Sequence, residues 1–296
     1  MKLIMSVAAK TTETAARLAQ SIAALPPLPA TAQEILTCFG DEFLDASKVT
    51  AVVEGDPGIC AKLLGLANSA YFGLAEPVNG IEEAISRVLG VDTVRSLVLA
   101  MAIQQSFNSK QCPGFSTERF WTQSLLTAEC CKKIASADQE ADDDVRDLAY
   151  SAGLCHNLGL MALAHMDPER TSAVLTAYRE NGQTGHLDAM FAAELDTDHR
   201  ILTAELARNW SLPAPMVAAY QYRAFPDIPC DHRLGPIVAV GAAAVENTES
   251  DEEHQLSLDH WADQLGITAD DLQAMAAFGD RAKERVQSLA GNMSGS

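Results

Sequence analysis

The sequence predicts an all-α fold, and three observations support that class. Apolar residues recur at helical spacing in nearly every segment. No Asn-Gly or Asp-Gly turn separates two strands of alternating polarity, as it would in a β-hairpin. Proline and glycine divide the 296 residues into about a dozen segments of ordinary helix length. A chain of this length can bury a substantial hydrophobic core.

Two helices in the first half are well marked. Asp56 is a suitable N-cap, and Pro57 fits the first turn of the helix that follows it. A second helix is predicted to begin directly after Gly90. The predicted apolar faces contain Ile59, Cys60, Leu63, Leu64 and Ala67 in the first helix, and Val91, Val94, Leu97, Val98 and Met101 in the second.

A long helix is predicted near the end of the sequence. Thr268 and Asp271 resemble a capping pair at its start. Gly291 is expected to begin a frayed tail, because glycine disfavours a helix. The apolar stripe of this helix contains Leu272, Met275, Ala276, Ala282, Val286 and Leu289.

One segment separates two helical halves. Residues 109–115 lack apolar periodicity and contain both proline and glycine. We therefore expect an N-terminal helical part over residues 1–110 and a larger helical bundle over residues 111–296.

Composition argues against several classes of partner. The net charge is −19, from 40 acidic and 21 basic residues, so nucleic acid and anionic membranes would repel the chain. The apolar run at residues 1–9 is too short to span a membrane. Seven cysteines without a Cys-x-x-Cys pair are typical of reduced thiols. The expected location is the cytoplasm.

Short motifs follow one another in order along residues 21–107. The longest is Leu63-Leu-Gly-Leu-Ala-Asn-Ser-Ala-Tyr-Phe-Gly73. The others are Leu25-Pro-Pro-Leu-Pro29, Asp56-Pro57, Pro77, Ile81, Ala84-Ile85, Leu89-Gly90 and Val94-Arg95. In this order and spacing they resemble the N-terminal part of HDOD domains, bacterial signalling modules related to HD-type phosphohydrolases. The resemblance implies an HD-like helical bundle with an N-terminal helical subdomain.

The second half continues the resemblance but departs from it at the metal-binding positions. Catalytic relatives use histidines and aspartates of these elements to hold one or two metal ions that activate water. The matching elements here are Phe120-Trp121-Thr-Gln-Ser124, Ala152-Gly-Leu-Cys-His-Asn-Leu-Gly159, Asp198-His199, Arg223-Ala224 and Gly241-Ala242. Against the family pattern, only His156 and His199 remain.

The substitutions imply a site that has lost its metals. Gln123, Asn157, Arg223 and Ala242 stand where the family pattern has metal ligands. An amide carries no charge, and paired cations need anionic ligands to offset their repulsion. No metal and no other cofactor is therefore expected. Arg223, if it points inward, would partly replace a metal ion's charge. We call these four residues, with His156 and His199, the vestigial pocket.

The His156-Asn157 pair has two interpretations. The two side chains either bind a ligand through imidazole and amide, or they are relics that hydrogen-bond to their surroundings. A second group of residues also has two interpretations: Asn68, Ser69, Tyr71 and Phe72. They either end a helix and pack the following turn, or form a surface for a protein partner.

The sequence therefore predicts a non-catalytic module of signal transduction that contacts signalling proteins in trans. It is not expected to be an enzyme. Two alternatives stay open: a metal-dependent phosphohydrolase acting on nucleotides, and a sensor that binds a nucleotide or another small anion without hydrolysis.

Overall fold

The computed structural model describes residues 27–39, 44–69, 72–182, 186–225, 230–246 and 252–294. These residues form fifteen α-helices and no strand, so the predicted all-α class is confirmed. A π-helical turn, Ile85–Leu89, extends the fourth helix. In chain order, the helices are α1 Ala30–Leu36, α2 Ala46–Glu54, α3 Pro57–Ala67, α4 Ile81–Ala84, α5 Val91–Gln105, α6 Thr117–Ala137, α7 Asp143–Cys155, α8 Leu158–Met166, α9 Pro168–Glu180, α10 Leu187–Leu195, α11 His199–Asn209, α12 Ala214–Ala224, α13 Leu234–Glu246, α14 Glu252–Leu265 and α15 Ala269–Ser294.

Helix α3 begins as the sequence predicts. Oδ1 of Asp56 accepts hydrogen bonds from the backbone N–H groups of Gly58 and Ile59, at 3.0 and 3.1 Å. Oδ2 accepts a third hydrogen bond, 3.1 Å long, from Nε2 of Gln105 at the end of α5. One carboxylate therefore caps α3 and ties it to α5.

The expected boundary near residue 110 falls in the segment between α5 and α6. Helix α5 packs against both α1 and α7, so it contacts elements on each side of that segment. The hydroxyl oxygens of Ser96 on α5 and Ser151 on α7 are 2.5 Å apart and buried. Buried apolar side chains from both sides of residue 110 form one continuous core.

Helix α15 packs across both halves of the chain, against α3 and α6. Its Val286, Leu289 and Met293 side chains are buried. The carbonyl oxygen of Met293 accepts a hydrogen bond from Nζ of Lys62 at 3.0 Å. The prediction of a frayed tail from Gly291 is therefore wrong, because tertiary contacts keep the helix intact to Ser294.

No helix in the described part of the chain combines the length and the apolar composition needed to cross a bilayer.

Candidate functional site

His156 and Asn157 lie at the junction of α7 and α8, inside the helical bundle. His156 is the C-cap residue of α7, and Asn157 precedes the first residue of α8. Nδ1 of His156 lies 2.6 Å from the carbonyl oxygen of Gly153 and must donate, since that oxygen can only accept. Burial, together with the charge of Arg223, lowers the pKa of His156 to about 3. The imidazole is therefore neutral at physiological pH.

His199 is the first residue of α11 and points into the core. Its side chain is buried, and its ring meets that of Phe191 edge to face, with the centroids 5.8 Å apart. Burial and the neighbouring arginines hold the pKa of His199 well below its usual value. Within the part of the chain that the structure describes, Nδ1 of His199 has no hydrogen-bond partner.

A glycine allows α8 and α11 to approach closely beside these two histidines. A Cβ atom at position 159 would lie 2.0 Å from the carbonyl oxygen of His199, so only glycine fits there. The backbone N–H of Gly159 donates to Oγ1 of Thr203 on α11, at 2.9 Å. This contact fixes the start of α11, and with it the position of His199.

Arg223 extends inward from α12 and is 4% exposed. Its Nη1 donates to the carbonyl oxygen of His156 at 3.3 Å, and its Nη2 donates to Oε1 of Glu246 at 2.6 Å. Burial opposes ionisation of Glu246, but the guanidinium groups of Arg223 and Arg200 outweigh it and lower its pKa to about 2. A buried, fixed ion pair therefore lies beside His156.

The remaining members of the vestigial pocket are less central. Gln123 on α6 is half-buried and lines a cavity together with Asn157 and His199. Ala242 is buried in α13 and is not among the residues lining that cavity. The structure thus groups Gln123, Asn157 and His199 around one space. His156 and Arg223 lie behind it, joined by their hydrogen bond.

The sequence did not single out three charged residues of this site. Glu246 pairs with Arg223, while Nη1 of Arg200 lies 2.9 Å from Oδ2 of Asp188 at the cavity wall. The sequence did contain one indication of Glu246: it lies four residues after Ala242 and therefore on the same face of the helix. Asp188 lies in no motif.

The donor set does not fit a metal centre. In the described part of the chain, no three His, Cys, Asp or Glu side chains come together as metal ligands would. The guanidinium of Arg223 adds a positive charge next to His156 instead of a ligand. A divalent cation here would find two neutral imidazoles and two carboxylates, those of Asp188 and Glu246, each already paired with an arginine.

The predicted partner surface has mixed roles. Asn68 ends α3 and exchanges two hydrogen bonds, each 2.8 Å long, with the backbone of Val78. Phe72 is half-buried and packs against the core beside Leu289. The Oγ atom of Ser69 is buried, and Tyr71 lies outside the described residues. A structural role is thus visible for Asn68, and a partner role stays a prediction.

Comparison with protein families identifies the family of the chain. The HDOD domain model matches residues 25–226, about two thirds of the chain. The chain belongs to the HDOD family. The match includes α1 to α12 and so extends on both sides of residue 110. It ends before α13, so Glu246 lies outside it.

Relatives of this HDOD chain are distant in sequence. An uncharacterized protein of Treponema pallidum (strain Nichols) is 28% identical over 223 residues, which make up 74% of this chain and 41% of that protein. The chain therefore spans less than half the length of this relative.

Solved structures share the fold. One from Marinobacter aquaeolei VT8, provisionally named a signal transduction protein, has a TM-score of 0.80 at 24% identity, covering 96% of this chain and 66% of that one. One from Shewanella amazonensis SB2B, provisionally named a phosphohydrolase, has a TM-score of 0.70 at 23% identity, covering 93% and 97%. An HDOD domain protein of unknown function from Geobacter sulfurreducens has a TM-score of 0.67 at 21% identity, covering 91% and 93%. At these identities the structures support the fold alone.

Proposed function

We propose that this HDOD chain is a non-catalytic regulatory module of signal transduction that acts through contacts with other proteins. The observation that carries the proposal is the position of Arg223. Its guanidinium bonds both the carbonyl oxygen of His156 and the carboxylate of Glu246. The site therefore already contains a buried cation and the anion that neutralises it.

Electrostatics explains why this arrangement opposes metal-dependent hydrolysis. A divalent cation beside His156 would be repelled by the guanidinium of Arg223, and the repulsion is strong where water is excluded. Glu246 could bind the metal only by leaving Arg223 buried without its partner, which is costly. Asn157 offers an amide oxygen without charge.

Two further features support a signalling role. The fold is shared with the Marinobacter protein that is provisionally named for signal transduction. The net charge of −19 favours protein partners over nucleic acid. No two cysteines in the described part of the chain form a disulfide, which fits the cytoplasmic location proposed for the chain.

The catalytic part of the proposal is tested on purified protein. Metal content is measured by mass spectrometry, and hydrolysis of phosphomonoesters and phosphodiesters is assayed with added Mg²⁺, Mn²⁺ and Zn²⁺. We expect no stoichiometric metal, and no turnover above that of His156→Ala. Turnover in the wild type that disappears in His156→Ala would overturn the proposal.

The partner part is tested by cross-linking in the cells of origin. Phe72→Ala is compared with Phe225→Ala, which removes the large apolar side chain that is 42% exposed at the end of α12. We expect Phe72→Ala to reduce partner recovery about tenfold, since aromatic anchors often dominate interfaces. Phe225→Ala should leave it unchanged. Equal partner recovery with the two variants would show that Phe72 is not part of the partner surface.

A further inference from the structure

Several buried polar atoms around the cavity beside the Arg223–Glu246 pair have no hydrogen-bond partner among the described residues. Oδ1 of Asn157 and Nδ1 of His199 are two of them, on side chains that are 6% and 1% exposed. Nε of Arg200 and Oδ1 of Asp188 are two more. All four residues line the same space. Because buried polar groups are normally satisfied, such a concentration indicates a missing hydrogen-bonding partner.

The size and walls of the cavity define what could enter. Its volume is about 120 Å³, room for on the order of ten water molecules. Phe115, Phe120 and Leu160 supply apolar surface on its walls, and Tyr178 adds a further ring. Water alone would hydrogen-bond to the polar atoms but would leave the aromatic walls in contact with water. A ligand with polar ends and an apolar body would both hydrogen-bond to the polar atoms and cover the apolar walls.

The charge of the lining selects the sign of the ligand. Among the residues that the structure describes, Arg119, Arg179 and Arg200 line the cavity together with two carboxylates, those of Asp188 and Glu246. This described part of the lining is net positive in a chain whose net charge is −19. Arg179 is exposed, whereas Asn157 and His199 are buried, so positive charge lies at the open end and the unpartnered atoms of Asn157 and His199 lie at the closed end.

We propose that this cavity binds a small organic anion with an aromatic or aliphatic body. Its carboxylate or phosphate meets Arg119 and Arg179 at the open end, where guanidinium groups recognise both anions. Its buried end carries an O–H or N–H group that donates to Oδ1 of Asn157. The inference rests on the proposed function, because the ligand is held as a signal and is not converted.

The test uses calorimetry with 4-hydroxyphenylacetate, which has a hydroxyl donor, a ring and a carboxylate. Phenylacetate lacks the donor, and 2-(4-hydroxyphenyl)ethanol lacks the charge. We expect each comparator to bind about tenfold more weakly than the complete probe. Phenyl phosphate and inorganic phosphate distinguish the anion: tighter binding of phenyl phosphate than of phenylacetate assigns a phosphate. Binding of inorganic phosphate alone would overturn the requirement for an apolar body.

Variants locate the binding. Arg179→Ala, an exposed position, should weaken the complete probe about tenfold. Arg208→Ala, a matched exposed arginine on α11 that does not line the cavity, should leave it unchanged. Asn157→Ala should abolish the preference for the hydroxyl. The proposal fails if no aryl anion binds in the millimolar range or tighter, or if Arg179→Ala and Arg208→Ala behave alike.

This outcome is separable from that of the proposed function. The carboxylate probes contain no bond that a phosphohydrolase would cleave. If they do not bind, only the proposed ligand is contradicted, and the proposed function is unaffected. Release of phenol from phenyl phosphate, lost in His156→Ala, would instead remove the non-catalytic assignment and leave the binding result standing.

Discussion

Nη2 of Arg223 lies 2.6 Å from Oε1 of Glu246, and the two residues come from adjacent, packed helices α12 and α13. The arginine is 4% exposed and the glutamate 23% exposed. Arg223 therefore places a positive charge in the bundle, and Glu246 neutralises it. The pair also joins the part of the chain matched by the HDOD domain model to a helix beyond it.

Removing the arginine should destabilise the fold. Arg223→Ala leaves the carboxylate of Glu246 without its partner and the carbonyl oxygen of His156 without a donor. We expect a loss of about 3 kcal/mol in the free energy of unfolding, the low end for a buried pair because Glu246 is partly exposed. Urea denaturation measures it. Arg208→Ala, which removes an exposed pair with Glu205, should cost no more than about 1 kcal/mol.

Stability should fall as pH decreases below 6.5, partly because of His156. Its folded-state pKa of about 3 is below the ordinary 6.5, so in this window the unfolded state binds a proton that the folded state does not. The loss amounts to about 2 kcal/mol between pH 6.5 and pH 5. Glu246, whose pKa is lowered to about 2 from 4.5, adds a loss only below pH 4.5.

A single variant isolates the contribution of His156. His156→Gln should reduce the dependence of the unfolding free energy on pH between 6.5 and 5 but not remove it, because the buried His199, whose pKa is also lowered, still contributes. His260→Gln, an exposed position, should leave the slope unchanged. Identical slopes for His156→Gln and the wild type would contradict a neutral buried imidazole at position 156.

Restoring the family's aspartate should not restore hydrolysis. Asn157→Asp supplies one anionic ligand, but Gln123 and Arg223 still occupy positions where ligands would be needed. We expect no bound metal and no phosphodiester turnover with Mn²⁺ or Mg²⁺, measured as for the wild type. Turnover in Asn157→Asp alone would show that Arg223 does not exclude the cation.

The close approach of α8 to α11 should not tolerate a methyl group. In Gly159→Ala, the Cβ atom would meet the backbone of His199 and Thr203, which cannot move away like a flexible side chain. We expect the free energy of unfolding to fall by about 3 kcal/mol. Gly279→Ala on α15 provides the control: no described residue lies within 4 Å of its added Cβ, so stability should rise by up to about 1 kcal/mol.

The helix starts could be predicted from the sequence because they depend on near neighbours. Asp56 caps α3 through the N–H groups two and three residues later. The backbone N–H groups of Thr268 and Asp271 each donate to the other residue's side chain, at 3.0 and 3.2 Å, as a capping pair does. Hydrogen bonds of this kind join residues that are close in the sequence, so they can be predicted from it.

Long-range contacts could not be predicted in this way. The helical penalty of Gly291 is outweighed by burial of Met293 and by the hydrogen bond from Lys62, 231 residues earlier. Likewise, the position of Glu246 on the same helix face as Ala242 could be read from the sequence, but its pairing with Arg223 could not. The family pattern located His156, Asn157 and His199 but carried no information on which buried atoms lack partners.

Helix α15 covers surfaces of α3 and α6 that are synthesised much earlier. During translation, the apolar surface on which Val286, Leu289 and Met293 of α15 later pack stays uncovered until α15 has left the ribosome. Until then a nascent chain exposes apolar surface of α3 and α6 that the finished protein buries, and exposed apolar surface of this kind favours aggregation.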